Sequence, residues 1–164
     1  MLNGVKLVRV DFRLIHGQVV TKWSNTVTAK TMIVVNDELS EDEFMADIYV
    51  MAAPPGIKVE VLSIASFVEQ ANAGQYDSGS ILVLFKNIED VRNAVERGIV
   101  FAEVQIGGLG AAGNRTSVVK GISIDREDAD NLICMRDRGV EVYFQVTPEE
   151  TKLSLDKALK KLGG

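Results

Sequence analysis

The stretch Val5-Lys6-Leu7-Val8-Arg9-Val10, followed by Asp11-Phe12-Arg13-Leu14-Ile15-His16-Gly17-Gln18, sets the pattern of the chain. A short run rich in Val gives way to a polar loop, and the loop opens onto an amphipathic stretch that reads as a helix from Gly17 to about Ser24. The same change of period recurs toward the C-terminus, with Gly, Pro or Asn at the joints. Strands are predicted at Val5–Val10, Thr31–Val35, Lys58–Ile64, Ile81–Phe85, Ala102–Ile106, Val118–Ile124 and Val140–Val146. Most are apolar at nearly every position, as strands covered on both faces should be. Glu41–Ala53, Ser66–Ala73, Glu89–Arg97, Arg126–Arg138 and Glu149–Leu162 are the other predicted helices. Ser40, Asn87 and Thr147 stand ahead of acidic first turns as caps, and Gly98 and Gly139 close helices where a left-handed residue is wanted. This alternation predicts an α/β fold, a single domain over residues 1–164 with an open, mainly parallel β-sheet of about seven strands and helices on both faces. Ligands of such sheets bind beyond the carboxyl ends of the strands, at the switch in strand order. The loops to inspect are therefore Asp11–Gly17, Asn36–Ser40, Phe85–Asn87 and Gly107–Arg115.

Composition narrows the function. Of 164 residues, 46% are hydrophobic and 25% charged, an ordinary globular balance. Lys and Arg number 18 against 23 Asp and Glu, so the net charge is −5, the wrong sign for a chain that must neutralise a phosphate backbone. No nucleic-acid partner is expected. One Cys (Cys134) and one His (His16) cannot furnish the roughly four ligands of a structural zinc, and they exclude internal disulfides. No metal and no cofactor is expected. A single Cys suits a reducing compartment, and MLNGVKLVRV lacks the longer apolar run of a secretory signal. No apolar run approaches the ~20 residues of a membrane helix. The chain reads as cytoplasmic, reaching a membrane only through partners.

Chemistry is concentrated where the first strand ends. His16 admits three readings: a histidine satisfied by a backbone carbonyl, a metal ligand, which the lack of partner residues disfavours, or a nucleophile. Neutral imidazole carries a lone pair at physiological pH without needing a base to uncover it. A phosphoryl group moving onto that nitrogen needs charge compensation on its oxygens more than covalent help. Arg13 can supply it, and the helix N-terminus adds the backbone N–H groups of Gly17 and Gln18. Asp11 can hold the Arg13 guanidinium or an imidazole N–H; alternatively it is a turn carboxylate at a strand end.

The runs Arg9-Val10-Asp11 and Arg13-Leu14-Ile15-His16-Gly17-Gln18-Val19 resemble component IIB of the bacterial phosphoenolpyruvate-dependent sugar phosphotransferase system, in its mannose/fructose/sorbose family. The resemblance continues through Val35-Asn36-Asp37-Glu38, Met51-Ala52-Ala53-Pro54, Ile106-Gly107-Gly108-Leu109-Gly110 and Val119-Lys120-Gly121-Ile122-Ser123, covering essentially the whole chain. Where the family often carries an acid, this chain has Phe12. The resemblance implies a cytoplasmic phosphocarrier, peripherally associated with its transporter. His16 would take a phosphoryl group at Nδ1 from phosphorylated component IIA and pass it to a sugar at the membrane components IIC and IID, acting as a protein-Nπ-phosphohistidine–sugar phosphotransferase. Arg13 would stabilise the group and Asp11 would orient. An open, mainly parallel sheet with the histidine loop at a switch point is implied as well.

The glycine-rich segment from Gly107 to Arg115 fits neither the dinucleotide fingerprint nor the P-loop. Given the resemblance, Gly107, Gly108, Leu109 and Arg115 read as a loop bordering the His16 site. Asn36-Asp37-Glu38 reads as a turn with helix-entry acids, and Trp23 as support from the first helix rather than a sugar-stacking platform. Two other classes compete: a receiver-like domain phosphorylated on aspartate, which needs several carboxylates for Mg²⁺ where this chain offers Asp11 followed by Phe12, and a regulatory α/β module without phosphohistidine transfer. Neither the sugar nor a dimer face is marked in the sequence.

Overall fold

The computed structural model of the chain describes residues 2–163, save the side chains of Gln18 and Val19. In chain order it runs β1 (Val5–Asp11), α1 (Gly17–Thr26), β2 (Thr31–Val35), α2 (Asp37–Ser40), α3 (Glu43–Met51), β3 (Lys58–Leu62), α4 (Ile64–Asn72), β4 (Ile81–Phe85), α5 (Ile88–Glu96), β5 (Glu103–Gly108), β6 (Thr116–Val119), β7 (Ile122–Ile124), α6 (Arg126–Asp137), β8 (Glu141–Phe144), β9 (Leu153–Ser154) and α7 (Leu155–Lys161). The main sheet has seven strands in the order β3-β2-β4-β1-β5-β8-β9. Every pairing in it is parallel except the last, where β9 runs antiparallel to β8.

The apolar runs explain why the sheet is buried on both faces. Successive side chains of a strand point to opposite sides. Met32, Val34, Leu82 and Leu84 therefore join Val20 and Trp23 of α1 in one core, while Ile33, Val35, Val83 and Phe85 join Phe67, Val91 and Leu132 in the other. Each fully buried aliphatic side chain contributes roughly 1.5–3 kcal/mol relative to exposure, so the double cover is the main source of stability.

Several predicted boundaries move, each for a local reason. Val118–Ile124, predicted as one strand, is a hairpin in which β6 and β7 pair antiparallel. The chain turns at Lys120-Gly121, where Gly121 has a φ of +91°. The seventh sheet strand is instead β9, from a stretch predicted as helix. Gln145 Nε2 donates to the Glu150 carbonyl at 2.7 Å and Leu153 pairs with Phe144, so α7 starts only at Leu155, capped by Ser154 rather than Thr147. The predicted helix Glu41–Ala53 is α3, which starts two residues late because the Asp42 side chain accepts from the Met45 N–H at 3.1 Å and caps it, a role predicted for Ser40. The stretch before it, predicted as a loop, holds the separate short helix α2. Ser63 caps α4 in the same way and ends β3 early. Asn87 does cap α5, and Gly98 and Gly139 leave α5 and α6 with φ of +97° and +93°.

Connections from β1 and β5 diverge. The chain leaves β1 through α1 for β2 on one side, and leaves β5 for β8 on the other, although β1 and β5 are neighbours. A crevice opens where such connections part, and at this one Asp11 pairs with Gly108. Among the described residues, no helix is long and apolar enough to cross a membrane.

Candidate functional site

Asp11 ends β1 fully buried. The Phe12 N–H donates to the Gly108 carbonyl at 3.0 Å, and the Leu14 N–H donates to the Asp11 carbonyl at 2.9 Å, closing a tight turn. Leu14 occupies the left-handed region at φ +57°, which is strained for a branched residue; its side chain is fully buried, and that burial holds the turn. His16 follows in extended backbone, φ −154° and ψ 147°, as the residue before α1. Its side chain makes no capping bond. It turns back to the strand end, where Nε2 stands 3.1 Å from Asp11 Oδ2. An ionised carboxylate only accepts, so in this contact a neutral imidazole has its hydrogen on Nε2 and its lone pair on Nδ1.

Arg13 is anchored on one side and open on the other. Its backbone N–H donates to Asp11 Oδ1 at 3.1 Å and its Nε lies 3.5 Å from the same oxygen. The guanidinium sits 5.5 Å from the centre of the Phe12 ring, and the side chain is 45% exposed. Gly17 and Gln18 are the first residues of α1, whose leading N–H groups have no acceptor within the helix. The side chain of Gln18 lies outside the described residues. A cleft of about 480 Å³ opens here between Ile15, His16, Gly17 and Thr21 on one side and Ala52 and Pro54 on the other. A hollow of similar size at the amino-terminal ends of β1 and β5, lined by Lys6, Leu7, Phe101 and Tyr143, is separate from this chemistry.

Asp11, Arg13 and His16 are thus brought together as the sequence predicts. The residue that sequence reading assigns no role is Arg9. It is fully buried beneath the site, with Nη2 donating to Asp11 Oδ2 at 3.2 Å, to the Gly107 carbonyl at 3.1 Å and to the Val146 carbonyl at 3.0 Å. Its Nη1 donates to Gln105 Oε1 and to the Gln145 carbonyl. Trp23 covers the guanidinium at 5.5 Å and donates its own Nε1–H to the Val146 carbonyl at 2.9 Å. Burial pulls the Arg9 pKa below the ordinary arginine value, and the Asp11 charge pulls it back up. One signal was available: a cation between Val8 and Val10 in a central strand needs a buried partner, and Asp11 lies two residues on, on the same face.

The glycine-rich segment serves this ion pair. A Cβ on Gly107 would strike the Arg9 guanidinium, and one on Gly108 would come 2.9 Å from Asp11 Oδ1. Both glycines belong to β5 rather than to a loop. Leu109 is buried and bridges to Ile122, and Gly110 lies beside the Phe12 ring. Arg115 is tied to the start of α6, donating through Nη1 to the Ser123 carbonyl at 2.9 Å and pairing with Asp128 at 3.1 Å. The Asn36 side chain accepts from the Leu39 N–H at 2.9 Å at the entry of α2, as a turn with helix-entry acids would have it. Asp37 also accepts from the Ile64 N–H at 2.8 Å, a contact to the start of α4 that the sequence reading did not predict. Among the described residues, no group of three His, Cys, Asp or Glu side chains is placed to hold a metal ion.

Comparison with known proteins places this geometry in a family. The family model described as PTS system sorbose subfamily IIB component matches residues 5–163. The sorbose-specific EIIB component of Klebsiella pneumoniae is 34% identical over 154 residues, covering 93% of this chain and 94% of that protein. The mannose-specific EIIAB component of Escherichia coli (strain K12) is 30% identical over 158 residues, 96% of this chain but 49% of that protein, so the chain spans about half the length of this curated relative. The crystal structure of the IIBSor domain of the Klebsiella pneumoniae sorbose permease superposes with a TM-score of 0.88 at 33% identity, covering 95% of this chain and 96% of that one.

Proposed function

Because the chain belongs to the sorbose subfamily of phosphotransferase-system IIB components, we propose that it is the phosphocarrier of a sugar-uptake system with His16 as the carrier residue. The observation that carries the proposal is the 3.1 Å contact of His16 Nε2 with Asp11, which leaves Nδ1 as the nucleophile, while the half-exposed Arg13 is held on the other oxygen of the same carboxylate. The Nδ1 lone pair forms a P–N bond as the P–N bond to the phosphohistidine of component IIA breaks. In delivery, a sugar hydroxyl oxygen takes the phosphoryl group, the P–N bond to His16 breaks, and the hydroxyl proton is released. Arg13 and the leading N–H groups of Gly17 and Gln18 compensate charge on the phosphoryl oxygens during both steps. No cofactor takes part in either. The chain acts from the cytoplasmic side and meets the membrane through components IIC and IID.

The acylphosphate alternative would place the group on Asp11. Both oxygens of that carboxylate are already engaged by Arg9, His16 and Arg13, and the side chain has no exposure. The test is incubation with phosphoenolpyruvate, the general phosphotransferase proteins and a cognate IIA, with His16→Ala as control. Acid-labile phosphate at Nδ1 of His16, dependent on IIA, is expected. Absence of phosphate with an active IIA, or phosphate retained in His16→Ala, rules the assignment out.

A further inference from the structure

We infer that Arg9, which touches neither solvent nor His16, is a positioning residue that keeps Asp11 a pure hydrogen-bond acceptor and so holds the His16 hydrogen on Nε2, leaving Nδ1 free. The inference rests on the phosphocarrier reading for its functional meaning, but its structural content stands by itself.

Asp11 is a fully buried carboxylate with two cationic neighbours of unequal weight. Arg13 is 45% exposed and approaches at 3.5 Å, so water screens most of its attraction. Arg9 is fully buried and approaches at 3.2 Å, in surroundings where a charge interaction is far stronger. With the Arg9 charge removed, Asp11 becomes a buried carboxylate without an adequate counter-charge, and such groups bind a proton. The position of that proton follows from the contacts. Oδ1 already accepts from the Arg13 N–H, so the proton belongs on Oδ2, the oxygen facing His16 Nε2. A protonated Oδ2 donates, and Nε2 must then accept, which moves the ring hydrogen to Nδ1. That tautomer has no lone pair at the proposed acceptor atom. The same logic holds in catalytic triads, where turning the carboxylate beside a histidine into an amide gives the wrong tautomer and costs about 10⁴ in rate.

Arg9 is suited to this task because nothing lets it leave. Its two Nη atoms donate to Gln105, to the carbonyls of Gly107, Gln145 and Val146, and to Asp11, while Trp23 covers its face. The residues that set the proton on the histidine therefore include strand β5 and the segment after β8, far along the chain from the loop that carries the histidine.

His16 is the one histidine in the chain, so ¹⁵N NMR of the unphosphorylated, imidazole-labelled protein at neutral pH reads its tautomer without ambiguity. The wild type and Arg9→Lys are expected to show Nε2–H, and Arg9→Met and Arg9→Gln to show Nδ1–H. Phosphorylation of Arg9→Gln by phospho-IIA is expected to slow on the order of 100-fold, with Arg9→Lys recovering much of it. Should Arg9→Met fail to fold, the Gln and Lys pair carries the test: a folded Arg9→Gln with the same tautomer as Arg9→Lys overturns the inference. A wild type that takes no phosphate from IIA, with the tautomers as expected, refutes the carrier reading and leaves the role of Arg9 intact. Full phosphorylation of the wild type with Nε2–H kept in Arg9→Gln refutes the role of Arg9 alone.

Discussion

Under the proposed function, replacing Arg13 with alanine would remove one charge-assisted contact to the phosphoryl oxygens and leave His16 in place. Such a contact is worth about 1.5–3 kcal/mol, so transfer should slow about 10- to 100-fold in rapid-quench phosphorylation while a measurable rate persists. An undiminished rate would mean that the α1 N-terminus alone compensates the charge. His16, Arg13 and Asp11 were legible as candidates because reactive and charged side chains in a loop after a buried strand need little context to be noticed. Arg9 was legible only as a cation two residues before Asp11, since the other groups that hold it lie 96, 98, 136 and 137 positions away. No local pattern displays those contacts.

Glycines of the same chain are required for two different reasons, and the cost of alanine should separate them. At Gly139 the φ is +93° and a Cβ would meet nothing within 4 Å, so Gly139→Ala costs only backbone strain, about 1–2 kcal/mol. At Gly107 the backbone is ordinary strand, but the added Cβ would strike the Arg9 guanidinium. Gly107→Ala should therefore disrupt the buried pair at about 3–5 kcal/mol and lower phosphoryl transfer as well, whereas Gly139→Ala should leave transfer intact; denaturant midpoints and initial rates read the contrast. Gly139 was legible as a helix stop from its place after Arg138. Gly107 was legible only as part of a glycine-rich segment, because the side chain it makes room for lies on another strand. Helix ends show the same division. Asn87 is a cap that local sequence reveals, whereas α7 begins late because Gln145 and Phe144 hold residues 150 and 153 away from helix.

Under the proposed function one histidine serves both partners, so donor and acceptor must take turns at the cleft that His16 borders. Unphosphorylated IIA in excess should inhibit sugar phosphorylation competitively with respect to the phosphorylated chain, measured as sugar phosphate formed in membranes containing IIC and IID; a ternary complex with undiminished transfer would refute a shared docking surface. The sequence by itself determined the class of fold, since apolar runs of strand length alternating with amphipathic stretches have few other ways to bury themselves. It also determined the reactive loop, because the candidate nucleophile and two charged side chains lie within six residues of one another, from Asp11 to His16. Only the tertiary structure decided that His16 Nε2 meets Asp11 and that Asp11 in turn rests on Arg9. That outcome depends on a carboxylate shared between a loop histidine and a buried arginine, and on two glycines of a neighbouring strand that make room for them. Contacts between strands distant in sequence are set by packing of the whole sheet, which local periodicity does not encode.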